Sequence, residues 1–167
     1  YRDLDRRANR LASYLADRGV DRGDRVLVHG TQKPETLVSF VATWKLGAVL
    51  VPVSTLLGSE GLAYRFEDAE PAAAVLDGSA REAVAGIDAD GLLPETVLTV
   101  DAADRDGPDR NGPGVDIRSA TEGVEPRFET VETAPTDPAS VIYTSGTTGQ
   151  PKGVVLPHQV GLGHLPQ

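Results

Sequence analysis

The amino-acid sequence predicts an α/β protein with a mostly parallel sheet flanked by helices. Short apolar runs rich in Val, Leu and Ala alternate with segments whose apolar residues recur every three to four positions. This alternation is typical of parallel strands joined by helical crossovers, which cover both faces of a sheet. The size agrees, because 167 residues with 40% apolar and 25% charged residues suit a globular domain.

The first half of the predicted sheet follows from four segments. A helix is predicted where apolar residues repeat from Leu4 to Leu15, with Gly19 as its stop. The run 25–29 predicts a strand, and Pro34 then suits the first turn of a helix that ends at Gly47. Residues 48–53 predict a buried strand. On the second helix, Trp44 lies on the apolar stripe and is expected in the core.

The later segments continue the alternation up to residue 100. Helices are predicted at 59–70 and 79–87, and strands at 72–76 and 96–100. Residues 1–100 are therefore expected to form one α/β subdomain. Residues 101–138 are rich in Asp, Gly and Pro, and they predict an acidic surface excursion or connector that buries little. Residues 139–167 are expected to hold a strand, a loop over 144–152, a second strand and a truncated end.

Composition excludes several classes of function. The net charge of −9 argues against binding to nucleic acid or to anionic membranes. The chain has no cysteine, which rules out thiolate catalysis and disulfides, and its three scattered histidines do not suit a metal cluster. No run approaches the roughly 20 apolar residues that cross a bilayer, and no signal sequence is recognisable. A cytoplasmic protein is the expectation.

The most distinctive feature is the loop between the last two predicted strands. Four hydroxyl residues, three glycines and Lys152 fall between Tyr143 and Gly153. Backbone N–H groups and a lysine in such a loop suit a polyphosphate ligand. The loop is not a Walker A motif, because Lys152 is followed by Gly153 and a strand rather than by Ser or Thr and a helix. A plain hairpin turn or linker is the alternative for such a composition.

The string from Tyr143 to Gly153 resembles the phosphate-binding signature of the adenylate-forming superfamily. That superfamily includes acyl-CoA synthetases, aryl-CoA ligases, luciferases and the adenylation domains of peptide synthetases. The segments 1–12, 23–26, 44–53 and 62–68 are similar to its upstream motifs, and their details favour short- or medium-chain acyl-CoA synthetases of fatty acid metabolism. Members are several times longer, so the resemblance implies the N-terminal part of a synthetase large domain that ends in a phosphate-binding hairpin.

In that superfamily, a carboxylate attacks the α-phosphorus of Mg·ATP to give an acyl-adenylate and pyrophosphate, and coenzyme A then displaces AMP. The resemblance implies that Lys152 acts in catalysis by stabilising charge on the departing pyrophosphate. The residues implied to bind the ATP phosphates are Thr144, Ser145, Gly146, Thr147, Thr148, Gly149 and Lys152. Mg²⁺ would be held mainly by residues outside this chain, and the other partners would be a carboxylate, coenzyme A and the remaining part of the synthetase.

Three points stay open from the sequence. His158, just after the second strand, could face the acyl pocket or be a surface or turn residue. The acyl group could pass to a carrier protein instead of coenzyme A. The chain could also be a truncated remnant or an interaction module without catalysis, and even a true synthetase fragment is expected to be inactive alone.

Overall fold

A computed structural model describes residues 1–100, 114–144 and 149–163. The helices are α1 (Arg2–Ala16), α2 (Pro34–Lys45), α3 (Ser59–Ala69), α4 (Arg81–Ala89), α5 (Ile117–Thr121) and α6 (Gln159–Gly163). The strands are β1 (Arg25–His29), β2 (Val49–Val53), β3 (Ala73–Asp77), β4 (Thr96–Val100), β5 (Val115–Asp116), β6 (Pro138–Thr144) and β7 (Lys152–Pro157). None of the described helices is long and apolar enough to cross a membrane.

The strands form one sheet in the order β5-β4-β3-β1-β2-β6-β7. Within the described residues, every neighbouring pair is parallel except β6 and β7, which form an antiparallel hairpin. The predicted fold class, an α/β protein with a mostly parallel sheet flanked by helices, is confirmed.

Alternate residues of the central strands face two separate cores. Val26 and Val28 of β1 pack under α1 and α2, whereas Leu27 between them packs under α3 and α4. This follows from the two-residue period of a strand. A strand buried on both sides must be apolar at nearly every position, which is why the central strands read as continuous apolar runs rather than alternating ones.

Helices α1 and α3 lie on the sheet through the stripes that their sequences predict. On α1, Ala8, Leu11, Ala12 and Leu15 are all fully buried, at the spacing of one helical face. On the other side of the sheet, Phe66 of α3 fills the second core. The prediction that Trp44 lies in the core is wrong. Its side chain is 37% exposed, and its indole N–H donates a hydrogen bond to the carbonyl of Ala139.

The strand order fixes where loops can meet. The chain leaves β1 through α2 towards β2, but leaves β3 through α4 in the opposite direction towards β4. Neighbouring connections that diverge in this way leave a crevice at the carboxyl ends of the strands, where α/β proteins bind ligands. The loop after β6 lies at the same edge, because β6 runs parallel to β2.

The described part of the predicted connector is more structured than its composition suggests. Val115 and Asp116 add a two-residue strand beside β4, and Ile117 at the start of α5 is buried in the first core. The Asp116 carboxylate caps α5 by accepting hydrogen bonds from two backbone N–H groups. Residues 101–113 lie outside the described residues. The division of the chain at residues 100 and 138 remains a prediction.

Candidate functional site

The β6–β7 hairpin presents the predicted phosphate loop at the carboxyl edge of the sheet. Thr144 ends β6 and lies opposite Lys152, which begins β7, so the hairpin closes the loop with these two residues. Both are exposed, as is Gly149. Ser145, Gly146, Thr147 and Thr148 lie outside the described residues. The structure therefore brings together the two ends of the predicted site.

Two hydrogen bonds join the ends of this loop to α3. The Tyr143 hydroxyl, one residue before the loop, donates to Oδ2 of Asp68 over 2.6 Å. The Tyr64 hydroxyl donates to the carbonyl of Pro151, one residue before β7, over 2.9 Å. Burial, followed by the hydrogen bond to Asp68 and the charge of that carboxylate, raises the pKa of Tyr143 well above its ordinary value. Tyr143 therefore stays a donor at neutral pH.

The chemistry of the hairpin suits an oxyanion. The ammonium of Lys152 stands where the loop returns to the sheet, and β7 rather than a helix follows it. A phosphate at this hairpin would therefore not meet the helix N-terminus that supports many phosphate sites, and backbone amides and Lys152 would have to supply the positive potential. Among the described residues, no group of three or more His, Asp or Glu side chains could hold a metal ion.

His158 lies far from this loop. It follows β7 at the opposite end from Lys152, six residues along an extended chain, which corresponds to about 20 Å. Its backbone N–H donates to the carbonyl of Asp137. His158 lines a cavity of about 230 Å³ together with Trp44 and Val160, and its Nε2 is buried without a hydrogen-bond partner in the described structure. The structure does not bring His158 together with the phosphate loop.

A second polar group at the carboxyl edge was not identified from the sequence. Lys33, which precedes α2, forms an ion pair of 2.6 Å with Asp77 at the end of β3. His29, at the end of β1, is 2% exposed, and burial lowers the pKa of its imidazole. A signal existed, since Asp77 directly follows a buried apolar run, a position that places side chains at the carboxyl edge.

An ion-pair cluster beside this edge was also missed. Glu35, in the first turn of α2, is buried and accepts hydrogen bonds from Arg7 of α1 and Arg118 of α5. Burial opposes its ionisation, but its own backbone N–H and the two guanidiniums outweigh burial and hold the pKa of this carboxyl below its ordinary value. The sequence did not reveal Glu35, because acidic residues are common in the first turn of a helix whether they are buried or exposed.

Comparisons with known proteins give matches over nearly the whole chain. The family model of "AMP-binding enzyme" matches residues 1–162. An acyl-CoA ligase of Bacillus subtilis, uncharacterised and called YtcI, is 31% identical over 99% of this chain. A medium/long-chain-fatty-acid–CoA/3-oxocholest-4-en-26-oate–CoA ligase of Mycobacterium marinum is 32% identical over 95% of this chain.

Solved structures agree with the sequence comparison. The crystal structure of apo MatB from Rhodopseudomonas palustris superposes with a TM-score of 0.77 and 36% identity, over 95% of this chain and 29% of its own. The chain likewise spans 29% of the length of the two ligases.

Proposed function

Because the chain belongs to the AMP-binding enzyme family, we propose that it is the phosphate-binding part of an ATP-dependent acid–thiol ligase. The ligase activates a carboxylate as an acyl-adenylate and transfers the acyl group to coenzyme A. The observation that carries this proposal is the hairpin at the carboxyl edge, where Thr144 faces Lys152 across a Gly-, Ser- and Thr-rich loop. The need for ATP and coenzyme A favours the cytoplasm.

The proposed reaction has two steps. A carboxylate oxygen attacks the α-phosphorus of ATP, the bond from that phosphorus to the bridging oxygen breaks, and pyrophosphate leaves with the electron pair. The thiolate of coenzyme A then attacks the acyl carbon, and AMP leaves. The substrate supplies the nucleophile in both steps, so the protein's part is to position the phosphates and stabilise the charge that develops on them.

Each part of the loop has a role in this scheme. The β- and γ-phosphates lie against the loop from Thr144 to Gly149, which offers backbone N–H groups and hydroxyl donors. The ammonium of Lys152 lies beside the departing pyrophosphate. Because the chain spans less than a third of its relatives, we propose that other parts of the synthetase hold the adenine, the Mg²⁺ and the acyl group, and that this chain is inactive alone.

The test is ATP–pyrophosphate exchange by the complete synthetase with a panel of aliphatic and aromatic carboxylates. Losing a hydrogen bond to a charged group costs about 1.5–3 kcal/mol, so Lys152→Ala is expected to slow exchange at least about tenfold. Lys152→Arg keeps the charge and is expected to retain more activity. An exchange rate unchanged in Lys152→Ala would remove this lysine from the site.

Lys45→Ala is the matched control. Lys45, one of three lysines in the chain, ends α2 and pairs with Asp5 away from the loop. Loss of this ion pair is expected to leave the rate of ATP–pyrophosphate exchange within about twofold of the unaltered synthetase, since such a pair contributes little to stability. If none of the carboxylates in the panel supports ATP–pyrophosphate exchange by the unaltered synthetase, the proposed function fails. Acyl transfer to a carrier-protein thiol but not to coenzyme A would favour the alternative ligase class.

A further inference from the structure

We propose that α3 positions the phosphate loop by holding both of its ends. The α3 clamp consists of Tyr64, Arg65 and Asp68 on the helix, with Tyr143 just before the loop and Pro151 near its end, next to Lys152. This inference rests on the proposed function of the loop. It assigns Tyr64, Arg65 and Asp68 as positioning residues, because they reach the ligand only through the loop that they hold.

The first end of the loop is held through Tyr143. Its hydroxyl lies 2.6 Å from Oδ2 of Asp68, a short hydrogen bond to an ionised acceptor. The guanidinium carbon of Arg65 lies 5.1 Å from the centre of the Tyr143 ring, within the range of a cation–π contact. Tyr143 is half-buried between these groups. The hydroxyl group and the ring of Tyr143 are therefore both held by residues of α3, one residue before the loop begins.

The second end is held through the backbone. Tyr64 donates to the Pro151 carbonyl, which directly precedes β7 and Lys152. The Tyr64 and Tyr143 rings meet edge to face, with their centres 6.2 Å apart. Arg65 is 8% exposed, donates to the carbonyl of Gly61 over 2.6 Å and lies within 5.9 Å of the Tyr64 ring. Tyr64 of α3 and Tyr143 of β6 thus form one unit, and α3 itself packs in the second core.

Gly153 leaves room for this arrangement. It lies directly opposite Tyr143 in the hairpin. A Cβ atom built on Gly153 would lie 2.8 Å from Cγ1 of Val141 and 3.5 Å from the Tyr143 ring. The first distance is too short for two carbon atoms, so a side chain would displace Val141 beside the clamped tyrosine. The string that begins at Tyr143 and ends at Gly153 therefore includes the hairpin end of the clamp as well as the loop.

The consequence for function is preorganisation. Ordering a binding group when its ligand arrives costs conformational entropy, and a group that is already held in place avoids part of that cost. The clamp holds Tyr143 and Pro151, at the two ends of the loop, through side chains of α3. The clamp is therefore expected to act mainly on the affinity for ATP and less on the chemical step, so that its loss raises KM for ATP more than it lowers kcat.

The decisive experiment is hydrogen–deuterium exchange of the loop amides, 144–150, in the complete synthetase without ATP. Tyr143→Phe and Tyr64→Phe each remove one hydroxyl and keep the ring, and each is expected to speed amide exchange in the loop about fivefold. Tyr14→Phe is the control, because Tyr14 is buried on α1 and contacts Arg18. Its loop exchange should match the unaltered protein. The two clamp variants should also raise KM for ATP about fivefold, with kcat changed less than twofold.

A second pair of variants tests the same bond from α3. Asp68→Ala removes the acceptor, whereas Asp68→Asn keeps an oxygen that Tyr143 can reach. Faster loop exchange in Asp68→Ala with recovery in Asp68→Asn supports the clamp, including in the case that Tyr143→Phe does not fold. Unchanged loop exchange in the clamp variants, or an equal increase across the whole sheet, would overturn it. A protected loop in a protein without pyrophosphate exchange would leave the clamp intact and reject the proposed function instead.

Discussion

Glu35→Gln tests whether the buried carboxylate at the start of α2 stabilises the fold. Glu35 is 5% exposed. Its Oε1 accepts hydrogen bonds from Nη2 of Arg7 at 2.6 Å and from Nη2 and Nε of Arg118 at 3.2 and 3.3 Å. These contacts tie α1, α2 and α5 together. Glutamine keeps the shape of the side chain and removes its charge, so the substitution isolates the electrostatic part of the contact.

The magnitude follows from the exposure of the partners. Hydrogen bonds to charged groups contribute about 1.5–3 kcal/mol. The side chains of Arg7 and Arg118 are 32% and 63% exposed, so both guanidiniums regain water once the carboxylate is gone. Solvent screening reduces the contribution of such exposed partners. We therefore expect a loss of about 2 kcal/mol at pH 7, which lowers Tm by about 4–8 °C for a chain of this size.

The assay is urea unfolding of the 167-residue chain at several pH values, with Glu60→Gln as the control. Glu60 occupies the corresponding second position of α3 but is exposed, so its loss should cost less than about 1 kcal/mol. The pKa of Glu35 is lower in the folded state than its ordinary 4.5. Its stabilisation is therefore present above that value and is lost as the pH falls through the folded pKa.

The difference in the free energy of unfolding between the unaltered chain and Glu35→Gln is expected to become smaller as the pH falls below about 4.5. If Glu35→Gln lowers the free energy of unfolding at pH 7 by no more than Glu60→Gln does, the reasoning is refuted. A difference in the free energy of unfolding that stays constant down to pH 3 would also refute it, because such a difference would come from packing rather than from charge.

Two further predictions concern the cores and the carboxyl edge. Phe66→Ala is expected to destabilise the chain by about 3–5 kcal/mol in urea unfolding, because Phe66 is 1% exposed; a loss below about 1 kcal/mol would contradict its place in the second core. Asp77→Asn should lower the free energy of unfolding by about 1–2 kcal/mol at pH 7. Burial raises the pKa of Asp77, but the contacts with Lys33 and Ser79 lower it by more, so that the pKa lies below its ordinary 3.8. That cost should vanish as the pH falls through the folded pKa, and a cost that persisted in acid would exclude the ion pair as its source.

Local periodicity was enough to predict the elements up to residue 100. Leu11 and Leu15 mark one face of α1, and the apolar run of β1 marks a strand buried on both sides. These signals lie within a few residues, where the geometry of a helix or a strand repeats. The β5–α5 segment gave no such signal, because a two-residue strand covers a single period and cannot show a repeat. Trp44 was misplaced because its stripe borders the hairpin rather than the centre of the sheet, and its N–H reaches Ala139.

By itself, the sequence determined the α/β class, the parallel sheet and a loop whose glycines, hydroxyls and lysine suit a polyphosphate. All of these depend on residues that are close together along the chain. Only the tertiary structure decided which distant side chains meet at that loop. Tyr143 and Asp68 are 75 residues apart, and Tyr64 and Pro151 are 87 apart. Such contacts depend on β6 lying beside β2, the strand that leads into α3, and strand order is set by how two apolar cores fill together rather than by any local pattern.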